Sequence, residues 1–134
     1  MARQRTRMAV ITEEAPLPIG PYSQAIKAEG LVFVSGQIPL DAQTGELFKG
    51  DVKEAALLVF RNVEAILKAA DSTLAKAIKI TVYLKNLDDF ASVNEAFEET
   101  FKEAPPARET VEVSRLPRDV DIEMSVVALS DSQE

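Results

Sequence analysis

The sequence predicts an α+β fold, a mixed six-stranded sheet with two helices on one of its faces. Six short β-like segments and two longer segments with helical apolar spacing follow one another along the chain. Their order is three strands, a helix, a strand, a helix and two strands, which indicates α+β rather than alternating α/β. No internal repeat or low-complexity linker is present, so we expect a single domain.

The N-terminal third is predicted to contain three strands. "MAVIT" (8–12) is a short β-like run, and the Pro-rich passage "EEAPLPIGPY" (13–22) is expected to form an ordered loop. "SQAIKAEGLVFVSGQI" (23–38) reads as two strands joined by a hairpin at Glu29-Gly30. The segment 39–50 contains two glycines and is predicted to be a loop.

The first helix is predicted to begin after Asp51, with Glu54 three residues further on as in a capping box. The strand "AIKITVYLKN" (77–86) follows this helix. One stripe of the helix keeps the i, i+3, i+4 spacing of a buried face, and it comprises Val52, Ala55, Ala56, Val59, Val63, Ile66, Leu67 and Ala70.

The second helix is predicted to be capped by Asp88 or Asp89. Its apolar stripe is expected to be buried and comprises Phe90, Val93, Phe97 and Phe101.

The last two strands, "RETVEVSRL" (108–116) and "VDIEMSVVAL" (120–129), are linked by a turn around Pro117. Side chains alternate between the faces of a sheet, so a turn of even length would place Arg108 and Glu123 on the same side. That side mixes polar and apolar residues, and it is either solvent-exposed or buried against another subunit.

Composition excludes several classes of chemistry. The chain contains no Cys and no His, which removes thiol and imidazole catalysis, disulfides and the common zinc sites, so we predict no metal. The net charge is −7, and such an acidic balance disfavours nucleic acid as the main partner. No run of 18 apolar residues exists, so we expect no membrane span.

We expect residues 1–7, "MARQRTR", to form a flexible basic tail and residues 8–134 to form the domain. The tail is followed by no apolar stretch, which argues against a secretory signal. A cytoplasmic location is therefore expected, and an organellar address for the short basic tail stays open.

Arg108 follows Pro105 and Pro106 and has two interpretations. It is either a solvated arginine at the end of a strand or a bidentate anchor for a carboxylate, entered through a stiffened backbone. Glu123 is likewise either part of a polar strand face or a carboxylate that holds a water molecule and transfers a proton.

Tyr22 and Ser35 are weaker candidates. Tyr22 belongs either to a tight turn or to a pocket wall, and Gly36 permits the close approach of a ligand or of another backbone. Ser35 has no neighbouring His or Lys, which argues against a serine hydrolase. The acidic surface of the second helix is interpreted as solvated.

The motifs taken together resemble one family. "IGPYSQAI", "VFVSGQIPLDAQTGEL", "NVEAILKAA", "DFASVNEAF" and "PPARETVEVSRLPRDVDIEMSVVA" look like the Rid family of reactive intermediate deaminases, in its RidA (YjgF) branch. The resemblance runs from about Met8 to Leu129. It implies a chorismate-mutase-like fold and a barrel-like homotrimer with active sites between subunits.

The resemblance also implies an activity: hydrolysis of 2-enamine or 2-imine acids, such as 2-aminoacrylate, to 2-keto acids and ammonia without a cofactor. The resemblance thus implies a hydrolase of the 2-iminobutanoate/2-iminopropanoate deaminase type. By position, Arg108 would bind the substrate carboxylate and Glu123 would orient the attacking water. The remaining implied pocket residues are Tyr22, Ser35, Asn94 and Thr110.

Two positions depart from the pattern of this branch. Thr110 stands where Cys is frequent, so any thiol chemistry of relatives is absent, and Ser125 stands where a second Glu is common. Two other classes of function stay open. One is an endoribonuclease or translation inhibitor, an older label for similar proteins, and the other is a non-catalytic module that binds small carboxylates.

Overall fold

Six strands and two helices follow one another in the predicted order. The computed structural model describes residues 6–131, and its helices are α1 (Val52–Ala69) and α2 (Phe90–Thr100). The predicted fold class is confirmed. Most of the predicted tail lies outside the described residues, so it stays a prediction. The strands are β1 (Met8–Val10), β2 (Ala25–Ala28), β3 (Leu31–Gln37), β4 (Ala77–Leu84), β5 (Ala107–Glu112) and β6 (Ile122–Leu129).

All six strands form one mixed sheet in the order β1-β2-β3-β6-β4-β5. Among the strands of the described chain, β4 and β5 alone pair in parallel, and α2 connects them, because parallel neighbours need a long crossover. The last two strands of the chain, β5 and β6, are not neighbours, since β4 lies between them. This insertion of β4 decides which side chains share a face.

Local sequence signals explain two element boundaries. Glu29 and Gly30 both have positive φ (53° and 77°), as a tight hairpin between β2 and β3 requires, so the predicted hairpin is confirmed. The Asp51 side chain accepts a hydrogen bond of 2.8 Å from the Glu54 backbone N–H, which satisfies a free donor at the start of α1. The predicted cap is therefore confirmed.

Alternate residues of the central strands meet the apolar side of the helices, and the resulting core covers one face of the sheet. Among residues 6–131, no helix combines the length and the apolarity that crossing a membrane requires. The core residues from the central strands are Val32, Val34, Ile80, Val82, Leu84, Ile122, Met124 and Val126, which pack with Val59, Val63, Ile66 and Leu67 of α1 and with Val93 of α2.

The opposite face, called here the open face, is covered by no helix formed by residues 6–131. Phe33 of β3, Val111 of β5 and Leu129 of β6 are exposed on it, beside polar residues such as Thr81 and Ser125. The predicted mixture of polar and apolar side chains is confirmed for β6, whereas β5 presents Val111 to this face instead of the predicted Thr110.

The connection between the last two strands is longer than the sequence predicts. β5 ends at Glu112 and β6 begins at Ile122, and the intervening segment contains two residues in the left-handed region. These are Arg118 (φ 54°) and Asp119 (φ 59°), and Lys85 Nζ lies 2.9 Å from the Asp119 carboxylate.

The start of α2 also differs from the prediction. Neither Asp88 nor Asp89 caps the helix with its side chain; a short turn, Leu87–Asp89, runs directly into it. The side chain of Asn86 accepts a hydrogen bond from the Asp88 N–H at 2.9 Å and takes the expected capping role one turn earlier. Phe90, predicted to be buried in the apolar stripe, is 42% exposed.

The prediction that Arg108 and Glu123 share a face is wrong. Arg108 pairs in register with Ile80, whose side chain lies in the core, whereas Glu123 pairs with Tyr83, whose side chain alternates to the open face. The two strands are related through β4 and not through a direct turn, so the length of their connection does not set their relative faces.

Candidate active site

Arg108 lies on the helix side of the edge strand β5. Its Nη2 donates a hydrogen bond of 2.7 Å to Asn94 Oδ1 on α2. The central guanidinium carbon lies 4.6 Å from the ring centroid of Phe97 and 5.1 Å from that of Phe90. Burial lowers the pKa of Arg108, yet an arginine remains charged throughout the physiological range. A positively charged fork is thus held by one amide and two aromatic rings.

The guanidinium faces a cleft of about 380 Å³ between α2 and the segment that enters β5. Pro105 and Pro106 form one wall, so the two prolines shape the cleft as well as stiffen the backbone. The volume is of the size that small ligands occupy. The cleft is lined by Asn94, Phe97, Glu98, Phe101, Pro105, Pro106 and Arg108.

Thr110 follows on the same side of β5, since it pairs with the buried Val82. Its hydroxyl oxygen is buried and has no hydrogen-bond partner among residues 6–131. Two residues further, the Glu112 carboxylate accepts a hydrogen bond of 2.8 Å from the Leu87 N–H. Arg108, Thr110 and Glu112 therefore form a row of polar side chains on the helix side of β5. Arg108 and Glu112 are hydrogen-bonded to α2 and to the turn before it, respectively.

Glu123 lies on the open face, in β6, against Gly36 of β3. A Cβ atom added to Gly36 would lie 2.3 Å from Glu123 Oε2, so any larger residue would displace the carboxylate. The sequence predicts that Gly36 admits a ligand or another backbone, whereas the structure places the Glu123 side chain there. Burial raises the pKa of Glu123, because the charged form loses water contacts. A carboxylate with a raised pKa is suited to accept and return a proton.

Tyr22 and Ser35 lie on the Glu123 side of the molecule. The Tyr22 side chain is half-exposed and lines a small cavity together with Gly36. The Ser35 hydroxyl donates a hydrogen bond of 2.7 Å to the Ser23 carbonyl, which fixes the strand end and gives it no base to activate it.

Gln24 is a residue that the sequence analysis missed. It is buried, and its Nε2 donates to the carbonyls of Pro16 (2.8 Å) and Thr12 (3.0 Å) while its Oε1 accepts from the Thr12 N–H (2.7 Å). These bonds fix the Pro-rich loop that leads to Tyr22. A glutamine at the start of a strand gives no sequence signal for this role.

The predicted site residues therefore form two groups within one chain. Arg108, Asn94 and Thr110 belong to the helix side of β5, and Tyr22, Ser35 and Glu123 belong to the β3–β6 region. Among residues 6–131, no cluster of three or more acidic side chains is arranged to hold a metal ion.

A larger cleft, of about 600 Å³, lies elsewhere, between α1 and the loops at Thr12 and Asp41. Its lining includes Arg61 and Lys68 together with Glu64, but none of the predicted site residues. Its size alone assigns it no chemistry, and the two groups above define the candidate site.

Comparison with known proteins gives consistent matches along most of the chain. Residues 12–130 match the family model described as endoribonuclease L-PSP. A RutC family protein of Pyrococcus abyssi is 56% identical over 119 residues, which cover 89% of this chain and 94% of that protein.

Solved structures agree with the sequence matches. Yeast Mmf1 superimposes with a TM-score of 0.90 at 39% identity, covering 94% of this chain and 100% of its own. Escherichia coli TdcF, solved with bound serine, gives a TM-score of 0.86 at 39% identity, covering 92% of this chain and 99% of its own. The chains share one fold as well as related sequences.

Proposed function

Because this chain belongs to the endoribonuclease L-PSP family, which includes the Rid and YjgF proteins, we propose that it is a deaminase of reactive 2-enamine and 2-imine acids. The products are 2-keto acids and ammonia. A 2-iminobutanoate/2-iminopropanoate deaminase-type activity, with 2-aminoacrylate as one source of the imine, is the specific reaction proposed. It uses no cofactor.

This proposal rests on one observation: the Arg108 guanidinium is held in place but forms no ion pair within residues 6–131. The guanidinium is oriented by Asn94 and two rings, and none of the ion pairs formed by residues 6–131 involves it. A fixed, unpaired guanidinium beside a cleft is suited to bind a carboxylate through two parallel hydrogen bonds. The serine bound in TdcF is a small molecule of this kind, carrying a carboxylate and nitrogen on one carbon.

We infer that a second copy of the chain completes the site, within a homotrimer. Two features support this. Arg108 and Glu123 occupy opposite faces of the sheet, so one chain does not readily bring them to the same small substrate. The open face exposes Phe33, Val111 and Leu129, and an exposed apolar sheet face commonly packs against another subunit. Arg108 of one subunit would then face Glu123 of its neighbour.

The reaction follows from these two groups. The enamine tautomerises to the imine, and Arg108 holds it by its carboxylate. Glu123 orients a water molecule and accepts its proton as the water oxygen bonds to C2, while the imine nitrogen takes up a proton. Glu123 returns its proton to the nitrogen of the resulting carbinolamine, and the hydroxyl group loses its proton to solvent as the C=O bond forms, the C–N bond breaks and ammonia leaves. Orientation is the main contribution, since the substrate is already reactive.

The direct experiment generates imines in situ from several amino acids and follows their loss with a semicarbazide trap. We expect the protein to accelerate conversion of the imine to the keto acid and to suppress semicarbazone formation. No acceleration with any small imino acid would overturn the proposed activity.

Mixed assemblies test the division of the site between subunits. Arg108→Ala and Glu123→Gln chains, each expected to be about 100-fold less active alone, are co-expressed with different tags, and trimers that carry both tags are purified. If each site takes its two residues from different chains, every trimer that contains both variants has one intact site of three, which restores roughly one third of wild-type activity. If both residues act within one chain, mixing restores none.

The family description keeps an endoribonuclease as the second candidate function. The net charge of −7 and the absence of His weigh against it. Incubation with RNA after stringent purification separates the two. Cleavage by the wild type that disappears in Arg108→Ala would favour the ribonuclease.

A further inference from the structure

Phe90 departs from the pattern of its own helix. Three rings of the aromatic cluster, Phe60, Phe97 and Phe101, pack together with centroid distances of 5.1–5.6 Å. Phe90 is not part of this cluster and remains 42% exposed at the start of α2. The contact that its ring does make is with the guanidinium of Arg108, at 5.1 Å. Packing of the core therefore does not explain why an aromatic residue stands here.

The position of Phe90 is fixed by the same strand that carries Arg108. Arg108 and Glu112 lie on the same side of β5, and Glu112 Oε1 accepts the hydrogen bond from the Leu87 N–H. Leu87 begins the short turn that leads directly into α2 at Phe90. The distance between the ring and the guanidinium thus depends on a link within β5 and not only on distant packing.

We propose that Phe90 is a positioning residue for the carboxylate-binding guanidinium of Arg108, an inference that rests on the proposed function. An aromatic ring attracts a cation through its quadrupole and accepts no conventional hydrogen bond from it. Asn94 takes one N–H of the guanidinium, and the rings of Phe90 and Phe97 hold its charge. The remaining N–H donors are left for a carboxylate.

The test compares Phe90→Leu, Phe90→Trp and a matched control, Phe48→Leu. Phe48 is similarly exposed, at 38%, and its ring is not among those that contact Arg108. Pyruvate, the stable keto acid product of 2-aminoacrylate, is the probe, and its Kd is measured by NMR titration. Thermal unfolding of each variant controls for folding.

Leucine keeps the apolar bulk but lacks the ring, so Phe90→Leu is expected to weaken pyruvate binding about two- to fivefold and to raise KM more than it lowers kcat. Phe90→Trp should bind pyruvate at least as tightly as the wild type, because Trp is the best partner for a cation. Phe48→Leu should leave Kd unchanged, and all three variants should retain the wild-type Tm within a few degrees.

A double variant shows whether Phe90 acts through Arg108. In an Arg108→Ala background, Phe90→Leu should cause no further loss of pyruvate affinity or of kcat/KM. A loss that persists there would mean that the ring contacts the ligand itself, and the positioning role would be wrong.

The outcomes separate this inference from the proposed function. A wild type that binds pyruvate and deaminates imines, with Phe90→Leu equal to it, overturns the role of Phe90 alone. A wild type that does neither overturns the proposed function, and the role of Phe90 falls with it.

Discussion

The surroundings of Arg108 and those of Glu123 differ in how they are supported. Arg108 is held from several directions by its own chain, through Asn94, Phe90 and Phe97. Glu123 lies on a sheet face without helices and is accommodated by the missing side chain of Gly36. Under the proposed function, the Arg108 region binds the substrate with support from its own chain, whereas the Glu123 region would be completed by a second subunit. The comparison shows that the two candidate groups lie in different surroundings on opposite faces of the sheet, so the proposed binding and proton-transfer steps can be disturbed separately.

Loss of the Arg108 side chain is expected to have the largest effect. Hydrogen bonds to charged groups contribute about 1.5–3 kcal/mol each, so Arg108→Ala should lower kcat/KM roughly 10²-fold or more. Arg108→Lys keeps the charge but lacks the planar fork and should recover only a small part. The measurement is deamination of iminopropionate, with circular dichroism as the folding control. A folded Arg108→Ala variant as fast as the wild type contradicts the carboxylate anchor.

Glu123→Gln should separate turnover from binding. The amide preserves shape but accepts no proton at neutral pH, so kcat should fall about 10²-fold, the usual scale for a positioned acid or base. Pyruvate affinity should change little, since Arg108 is intact. Single-turnover deamination measures the rate of the chemical step, and titration with pyruvate measures its Kd. Unchanged turnover would reassign Glu123 to a structural role.

Gly36→Ala should disturb the Glu123 region and leave the Arg108 region intact. The new methyl group would push against the Glu123 carboxylate, which must rotate away from its position. A displacement of this kind commonly lowers kcat about tenfold or more. We expect pyruvate binding to stay at the wild-type value, and a parallel loss of affinity would show that the two regions are not independent.

The pH dependence of activity should reflect the burial of Glu123. Its raised pKa means that it stays protonated, and unable to accept a proton, to a higher pH than an ordinary glutamate. As the pH is lowered, kcat should therefore begin to fall with a midpoint above 4.5, the ordinary pKa of a glutamate. In the Glu123→Gln variant, the residual kcat should not show this decrease at low pH.

The same shift has a consequence for stability, with a defined sign. Between the ordinary pKa of 4.5 and the raised one, the folded chain binds a proton that the unfolded chain has lost. The contribution of Glu123 to the free energy of unfolding therefore falls as pH rises through this window. Denaturant unfolding at several pH values, compared with Glu123→Gln, measures it.

Removal of residues 1–7 should have the smallest effect. The family match begins at residue 12, and neither group of site residues includes the segment. Activity and assembly of the truncated protein should equal those of the full chain, as measured by imine deamination and light scattering. A truncated chain that dissociates or loses activity contradicts the prediction.

Much of the fold was predictable because its signals are local. The hairpin depends on Glu29-Gly30, the start of α1 depends on Asp51, and the strand and helix periods identify the core. The start of α2 was less predictable, since the turn Leu87–Asp89 continues into the helix and Asn86 makes the side-chain cap.

The arrangement of the candidate site was harder to predict, because it depends on strand order. Sequence alone treats β5 and β6 as neighbours, and only the insertion of β4 places Arg108 and Glu123 on opposite faces. Phe90 fits an apolar stripe by spacing, yet its environment is set by the distant Glu112. Motif resemblance identified the individual residues and said nothing of these relations.

The bonds of Gln24 have a thermodynamic consequence for the Pro-rich loop. The loop has no strand to pair with, and such segments commonly open locally at little free-energy cost. Here the Thr12 amide is bonded to the buried side chain of Gln24, which directly precedes β2 and whose backbone carbonyl accepts a hydrogen bond from the Ser35 N–H. Opening of the loop is therefore coupled to opening of the sheet, and the Thr12 amide should exchange with solvent deuterium as slowly as a strand amide. We therefore expect the loop that leads to Tyr22 to unfold together with the domain.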